Sequence, residues 1–219
     1  MENTKYKIVL VDDHALFRDG LKLFIELENI GTVIGETDNG LKFLNLIENE
    51  KPDLVIMDLD MPIMSGLEAT EKAIAKYPDL NILVLSMHSD QNQYYQMINA
   101  GAKGFVLKST GKQELEKAIR TVAEGGSHFS NELLRKIILE IGKPQHKDNS
   151  FQNKLVFTNR ELEILTLFCN GYTVSEIANK VFLSVKTIES HRSKLLHKTG
   201  AKNTISLVLL AIKNKIVTI

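Results

Sequence analysis

The fold of the first half is decided by the stretch Ile8-Val9-Leu10-Val11-Asp12-Asp13, an apolar run that stops at two carboxylates. Three further apolar runs also stop at a polar residue: Leu54–Met57 at Asp58, Ile82–Leu85 at Ser86, and Phe105–Leu107 at Lys108. Aliphatic runs without polar alternation predict strands that are buried on both faces, as in parallel sheets. Because ligands of such sheets bind beyond the carboxyl ends of the strands, we expect these polar residues to meet at one edge.

Helix-like stretches separate the strands. Apolar residues at intervals of three and four follow each predicted strand, and the strands are Tyr6–Val11, Thr32–Thr37, Leu54–Met57, Ile82–Leu85 and Gly104–Leu107. Five βα units with short connections predict an α/β fold, a doubly wound parallel sheet with helices on both faces. The flavodoxin-like strand order 2-1-3-4-5 would place Asp12 and Asp13 beside Asp58.

The distribution of charge divides the chain of 219 residues, although its formal net charge is zero. Residues 1–150 hold 17 basic and 23 acidic residues, whereas residues 151–219 hold 10 basic and 4 acidic residues. Opposed charge predicts two modules with different partners, joined by the polar segment 142–150. A single cysteine, Cys169, excludes an intramolecular disulfide, and the aliphatic runs are too short to span a membrane. No signal-like apolar segment begins the sequence, so we expect a cytoplasmic protein without a membrane partner.

The predicted cluster of polar residues has a definite chemistry. Three carboxylates at one point repel each other unless a cation neutralises them, and Mg²⁺ prefers carboxylate oxygens together with a phosphate. Lys108 would offer a compact positive charge to phosphoryl oxygens, and Ser86 would offer a hydroxyl donor. A carboxylate at such a place can act as a nucleophile toward a phosphoryl group and form an acyl phosphate.

Four separated segments resemble the receiver domain of two-component response regulators: Val11–His14, Met57–Leu67, Leu85-Ser86 and Phe105–Lys108. The resemblance covers roughly the first 125 residues. It implies that Asp58 is the phosphoacceptor and that Mg²⁺ is held by Asp12, Asp13, Asp58 and the backbone carbonyl of Asp60. It also implies that Ser86 is the switch hydroxyl, Phe105 the switch aromatic residue and Lys108 the phosphate-binding lysine. Two residues depart from the common pattern: Ser109 stands where many receivers have proline, and Phe105 lacks the hydroxyl of a tyrosine.

A different phosphoryl-transfer class also uses an aspartyl phosphate and magnesium. Asp58-x-Asp60 could be the nucleophile and acid of a phosphatase of the haloacid-dehalogenase type. That motif normally follows the first strand, and the class does not expect an acidic pair about 45 residues earlier. An isolated aspartate at a strand end is usually a turn former or a helix cap, so the interpretation depends on the residues acting together.

The basic half has the pattern of short capped helices. Thr158 with Glu161 and Thr173 with Glu176 have the spacing of capping boxes, and Ser184 is a simple cap. Three or four helices are predicted, and the break Phe182-Leu183-Ser184 has the length of a helix-turn-helix turn. If Ile188 and Leu195 face inward, the residues that face outward are Lys186, Glu189, Ser190, Ser193 and His197, flanked by Arg192 and Lys194. Such a surface suits the major groove of DNA, although a basic amphipathic helix can also simply be solvated.

Residues 154–202 resemble the LuxR-type output domain, over Leu155–Leu165, Gly171–Ala178 and Ser184–Leu195. The resemblance implies that Ser184–Lys198 is the recognition helix. It places Glu189, Ser190 and Ser193 toward bases, and Lys186, Thr187, Arg192 and Lys194 toward phosphates. Many members have lysine at the position of Glu189. Because a carboxylate is repelled by phosphate but accepts a hydrogen bond from cytosine N4, we expect Glu189 to affect specificity more than affinity.

Together the two resemblances indicate a response regulator of the NarL/FixJ group. The predicted organisation is a receiver at residues 1–125, a linker at 126–153 with a short helix near 131–141, and a four-helix LuxR-type helix-turn-helix domain at 154–219. The implied function is that of a transcription regulator and not an enzyme: a sensor histidine kinase phosphorylates Asp58, which changes homodimerisation and binding to double-stranded promoter DNA. The apolar residues Ile205, Leu209 and Ile212 of the last helix could pair two output domains. A LuxR-type regulator gated by a small molecule would share the second half but not the receiver framework.

Overall fold

The computed structural model describes residues 6–87, 91–129, 157–214 and 216–217. These residues form two compact units, one within residues 1–134 and one within residues 135–219. The short helix predicted near residues 131–141 lies outside the described residues. Within the described ranges, every helix is too short or too polar to cross a membrane.

The first unit alternates strands and helices along the chain. Its elements are β1 (Tyr6–Val11), α1 (Ala15–Leu27), β2 (Gly31–Thr37), α2 (Gly40–Leu46), β3 (Leu54–Asp58), α3 (Gly66–Lys76), β4 (Ile82–Ser86), α4 (Gln91–Ala100), β5 (Gly104–Leu107) and α5 (Lys112–Ala123). All neighbouring strands pair in parallel, in the order β2-β1-β3-β4-β5. The predicted doubly wound sheet and its strand order are therefore confirmed.

The central strands are buried because both of their faces are covered. Every residue of β3 and β4 is buried, as the uninterrupted apolar runs predicted. The side chains of Ile8, Ile56 and Leu83 pack with α1 and α5 in one core cluster. Val11 of β1 pairs with Met57 of β3, so the next residues along the chain, Asp12 and Asp58, lie side by side at the carboxyl edge.

A short segment after α5 lies against the outer edge of the sheet. The backbone N–H of His128 donates to the Lys103 carbonyl at 3.0 Å, and the His128 carbonyl accepts from the Phe105 N–H at 2.9 Å. This parallel bridge between His128 and Gly104 lies outside the five strands. It covers backbone groups of β5 that an edge strand would otherwise leave unpaired.

The second unit contains four helices in its described part: α6 (Asn159–Cys169), α7 (Val174–Lys180), α8 (Val185–Thr199) and α9 (Thr204–Lys213). Both predicted capping boxes are present, and Ser184 caps α8 as predicted. A third box, in which Asn203 and Ser206 cap α9, was not predicted. The buried core of the unit includes Ile164, Leu165, Phe168, Ile177, Ile188, Leu195, Leu207 and Ala211.

Of the three α9 residues predicted to pair two output domains, Leu209 is only 4% exposed. Leu207 and Ala211 are fully buried in the core, whereas Ile205, Val208 and Ile212 are half-buried. The helix sequence TISLVLLAIK is apolar on nearly all sides, so its periodicity does not select one face.

Candidate functional site

Two buried carboxylates and one buried ammonium group meet at the carboxyl edge of the sheet. The Lys108 Nζ lies 2.7 Å from Asp12 Oδ2 and 2.8 Å from Asp58 Oδ2. The three side chains are only 3% to 6% exposed. Because desolvated charges are costly unless they are paired, these contacts are what permits the three groups to be buried together.

Backbone contacts at the ends of β1 and β2 hold Asp12. Its N–H donates to the Thr37 carbonyl at 3.0 Å, and its Oδ1 accepts from the His14 N–H at 2.8 Å. The guanidinium of Arg18 donates to the Asp12 carbonyl at 2.6 Å. The second carboxylate oxygen, Oδ2, is thereby directed toward Lys108.

The loop after β3 holds Asp58. Its Oδ1 accepts from the Leu59 N–H at 2.8 Å, which leaves Oδ2 directed at Lys108. The Gly66 N–H donates to the Leu59 carbonyl at 2.9 Å and so closes the loop. A Cβ on Gly66 would lie 2.0 Å from the Asp58 carbonyl oxygen, so only glycine allows this close approach.

Asp13 and His14 extend the acidic cluster toward solvent. The His14 Nδ1 lies 2.9 Å from Asp13 Oδ1 and 3.4 Å from Asp12 Oδ1. One potential ligand atom from each of Asp12, Asp13, His14 and Asp58 lies within 4.8 Å of the others. The three carboxylates are the hard oxygen donors that Mg²⁺ prefers, so this donor set fits the ion. Asp60 lies two residues after Asp58 and is exposed, and the contribution of its carbonyl stays a prediction.

The predicted switch residues lie on β4 and β5, beside the carboxylates. Ser86 is fully buried at the end of β4, and its carbonyl accepts from the Lys108 N–H at 2.8 Å. Phe105 is 5% exposed and packs edge-on against Tyr94, with ring centroids 4.0 Å apart. The ammonium of Lys108 also lies 4.8 Å from the ring centroid of Phe17, a cation–π contact. Neither Tyr94 nor Phe17 was among the site residues predicted from the sequence.

Burial and charge shift the pKa values at this edge. Burial raises the pKa of the Asp58 carboxyl, and the nearby Asp12 carboxylate raises it further, while Lys108 opposes both effects. Burial alone would lower the pKa of Lys108, but its hydrogen bonds to Asp12 and Asp58 raise it above the usual value. Lys108 therefore stays cationic, and the edge has a fixed positive group beside the two carboxylates.

The α8 helix divides its residues between the core and solvent as predicted. Ile188 and Leu195 are fully buried in the core of the second unit. The residues that are exposed include Lys186, Glu189, Ser190, Ser193, Lys194 and His197. Two of the predicted DNA contacts, Thr187 and Arg192, are only half-buried: the Thr187 hydroxyl lies 2.8 Å from that of Ser184, and Arg192 Nη2 lies 3.7 Å from Glu189 Oε1.

Other polar contacts fix α8 relative to its neighbours. The Lys198 ammonium donates to Glu161 at 2.6 Å and lies 5.0 Å from the centroid of the Phe157 ring. Arg160 donates to the Val181 carbonyl at 2.9 Å, at the end of α7. These basic residues stabilise the helical unit, whereas the exposed residues of α8 are available to a partner.

Comparisons with known proteins agree with both units. Residues 8–120 match the family model described as the response regulator receiver domain, and residues 155–211 match the model of bacterial regulatory proteins of the luxR family. The uncharacterized transcriptional regulatory protein YhcZ of Bacillus subtilis strain 168 is 40% identical over 207 residues, which are 94% of this chain and 95% of that protein. The oxygen regulatory protein NreC of Staphylococcus aureus strain JH9 is 36% identical over 213 residues, 96% of this chain and 98% of NreC.

Solved structures give the same result. A LuxR-family two-component response regulator from Aurantimonas sp. SI85-9A1 aligns with a TM-score of 0.59 and 31% identity, over 63% of this chain and 98% of that chain. A structure of two RcsB dimers bound to two parallel DNAs aligns with a TM-score of 0.57 and 26% identity, over 95% of this chain and 99% of that chain. The relatives named above are described as regulatory proteins. The chain belongs to the two-component response regulators that join a receiver domain to a LuxR-type DNA-binding domain.

Proposed function

We propose that a sensor histidine kinase phosphorylates this protein on Asp58 and that phosphorylation changes its dimerisation and its binding to promoter DNA. The observation that carries the proposal is the buried Lys108 ammonium, which contacts both Asp12 and Asp58. This arrangement combines a nucleophilic carboxylate with a cation that is already placed for the incoming phosphoryl oxygens. We further propose that the regulator acts in the cytoplasm as a homodimer when phosphorylated.

The transfer step uses one oxygen of Asp58. A carboxylate oxygen attacks phosphorus of a phosphohistidine, the O–P bond forms as the P–N bond breaks, and the electron pair stays on the imidazole nitrogen of the kinase. Lys108 donates to the transferred phosphoryl group. Mg²⁺ would be held by Asp12, Asp13, Asp58 and the Asp60 carbonyl, and when bound it offsets the negative charge of these groups.

The change after phosphorylation begins at β4 and β5. The acyl phosphate carries about two negative charges where the free Asp58 carboxylate carries one, and it adds three acceptor oxygens at this place. The hydroxyl of Ser86, at the end of the neighbouring strand, donates to a phosphoryl oxygen. The existing edge-on contact between Phe105 and Tyr94 then changes. Because Phe105 has no hydroxyl, it acts only through packing. The face formed by α4, β5 and α5 then changes, and we propose that this face controls pairing with a second copy.

DNA recognition is assigned to α8. Glu189, Ser190 and Ser193 are exposed along the helix and are proposed to contact base edges. Phosphate contacts are proposed for Lys186, Thr187, Arg192 and Lys194. Support comes from the exposed polar face of α8 and from the similarity to RcsB, whose solved structure contains DNA.

One experiment tests the central step. The full chain is incubated with acetyl phosphate, with and without Mg²⁺, and the phosphoprotein is measured by intact mass. We expect magnesium-dependent phosphorylation that Asp58→Asn abolishes, while the exposed Asp79→Asn variant is modified as fully as the wild type. Modification that persists in Asp58→Asn would exclude Asp58 as the acceptor. Rapid turnover of a phosphomonoester, with no effect of phosphorylation on DNA binding, would instead favour a phosphatase.

A further inference from the structure

Phe182 occupies an unusual place in the turn between α7 and α8. Its side chain is 93% exposed, more than any other large hydrophobic residue in the described part of the chain. Its backbone has a φ of +54°, in the left-handed region. The Cβ of phenylalanine strains this backbone, and the exposed ring gains no burial energy that would offset the strain.

Stability alone would favour another residue at this position. Glycine adopts the left-handed conformation without steric cost, and asparagine tolerates it better than an aromatic residue does. A buried phenylalanine would compensate by removing apolar surface from water, but Phe182 buries almost none. A strained residue without a compensating contact among the described residues of its own chain indicates a contact with a partner.

The backbone of the turn is held in place on both sides of Phe182. On one side, the Val181 carbonyl accepts from Arg160 at 2.9 Å. On the other side, the Leu183 N–H donates to the Ala178 carbonyl at 3.0 Å, and the Leu183 side chain packs against the core. Because both neighbours of Phe182 are held by the domain, its backbone has a defined position relative to α8.

That position adjoins the surface proposed to bind DNA. Phe182 lies two residues before Ser184, the N-cap of α8, and Val185 in the first turn is 48% exposed. Lys186 and Glu189 follow on the exposed surface of the same helix. In helix-turn-helix proteins the N-terminal residues of the recognition helix contact base edges, so this end of α8 would lie closest to the duplex.

We propose that Phe182, supported by Val185, contacts the C5-methyl group of a thymine at the edge of the site that α8 reads. This inference rests on the proposed binding of DNA by α8. Apolar side chains recognise thymine through its methyl group in the major groove, and they need no hydrogen bond to do so. The strain at Phe182 is then compensated in the complex and not in the free protein.

The test uses the full chain phosphorylated with acetyl phosphate and Mg²⁺. Duplexes are first selected from a random pool with the wild-type protein, and each thymine of the selected site is then replaced by deoxyuridine, which lacks only the methyl group. We expect one position per half-site where deoxyuridine weakens wild-type binding by about three- to tenfold. Phe182→Gly should bind the thymine and deoxyuridine duplexes equally at that position, whereas Phe182→Leu should keep part of the preference.

Thermal unfolding provides a second measurement, in which Phe182→Gly should raise stability although it lowers affinity for DNA. Phe182→Gly should raise the melting temperature of the output domain while it weakens binding to the selected site. The matched control is Asn29→Gly, because Asn29 also has a positive φ of 51° and is exposed, but lies after α1 of the receiver, outside the loop that holds Asp58. We expect it to raise the stability of the receiver and to leave the thymine preference unchanged.

The proposal is overturned if Phe182→Gly loses the same factor as the wild type at every deoxyuridine position. It is also overturned if the variant gains stability with no loss of affinity. If the wild-type protein enriches no sequence from the pool, DNA recognition by α8 is itself refuted and the inference fails with it. Enrichment without a methyl-sensitive position refutes the inference alone.

Discussion

The charged residues at the carboxyl edge of the receiver sheet are buried and paired with each other, whereas those on the exposed face of α8 lie in solvent. At the edge, Asp12, Asp58 and Lys108 are 3% to 6% exposed and bind each other. On α8, Lys186 and Glu189 project into solvent. The buried charges of the receiver already interact with each other in the unphosphorylated protein. The exposed charges of α8 gain most of their interactions only when a partner binds.

This difference follows from what each surface has to recognise. The proposed acyl phosphate needs a carboxylate and a cation held within a few ångströms of each other, so that site must be organised in advance. A DNA duplex instead supplies a dense row of phosphates, and exposed cations find their counter-charges there. Substitutions at the edge should therefore change stability as well as function, and substitutions on α8 should change binding alone.

The strongest test of this comparison is Lys108→Met, which removes the ammonium and keeps most of the side-chain volume. It leaves Asp12 and Asp58 buried without their cation, so we expect the free energy of unfolding of the receiver to fall by about 3–5 kcal/mol. Urea unfolding without Mg²⁺ measures the loss. The control is Lys186→Met, at an exposed position, which should change stability by less than about 0.5 kcal/mol.

Adding Mg²⁺ distinguishes the loss of the Lys108 charge from other structural effects of the Lys108→Met substitution. Because a divalent cation can neutralise the same carboxylates, magnesium should stabilise Lys108→Met more than the wild type, with a concentration dependence that reports its affinity. A similar effect of magnesium on both proteins would mean that the carboxylates do not depend on Lys108 for neutralisation. Equal losses in Lys108→Met and Lys186→Met would remove the proposed difference between the two surfaces.

Most of the receiver edge was predictable from sequence because its signal is local. Each buried strand is an uninterrupted apolar run, and the residue that ends the run lies at the edge of the sheet by topology alone. Asp12, Asp58 and Ser86 were located in this way, and Lys108 follows β5 as expected. The predicted inward positions of Ile188 and Leu195 were likewise confirmed, because these two aliphatic residues lie two helical turns apart among mostly polar neighbours.

The features that escaped prediction depend on contacts between distant residues. The ring contact between Tyr94 and Phe105 joins α4 to β5, and neither local sequence indicates the other. The bridge at His128 is a single residue long, so it has no strand pattern. The contacts proposed for Ile205, Leu209 and Ile212 of α9 between two output domains stay a prediction. Most residues of that helix are apolar, so its sequence alone did not show that Leu207 and Ala211 would pack in the core.

A smaller effect is expected at the helix caps, which lie in the output domain but away from the exposed face of α8. The hydroxyl of Thr173 accepts from the Glu176 N–H, while Glu176 accepts from the Thr173 N–H at 2.8 Å. Thr173→Ala should destabilise the output domain by about 1 kcal/mol. The melting temperature of that domain should then fall by roughly 4–8 °C.

The matched control is Thr166→Ala. Its hydroxyl donates to the Leu162 carbonyl within α6, a contact that adds little to a helix. We expect a change of a few tenths of a kcal/mol there, because alanine is also the better helix former. Thr173→Ala could instead leave stability unchanged while substitutions of exposed α8 residues lower it. In that case the proposed division of this domain, into residues that stabilise the fold and residues that bind a partner, would be wrong.

The smallest expected effect concerns His128, a titratable residue that is neither fully buried nor fully exposed. Its Nε2 lies 2.9 Å from Glu114 Oε1, and its side chain is 11% exposed. Burial lowers the pKa of His128 below its usual value; Glu114 opposes this effect, and Lys117 adds to it. The folded receiver therefore binds a proton at His128 less readily than the unfolded chain does.

The sign of the pH dependence follows from this difference. As pH falls through the unfolded pKa of about 6.5, the unfolded chain takes up the proton first, so the free energy of unfolding of the receiver decreases toward the lower folded pKa. Urea unfolding between pH 7.5 and pH 5.5 should show this decrease, and His128→Gln should flatten it, whereas His197→Gln on the exposed face of α8 should not. A steeper decrease in His128→Gln would mean that Glu114 keeps the imidazole protonated in the folded state, so that the ion pair and not burial controls His128.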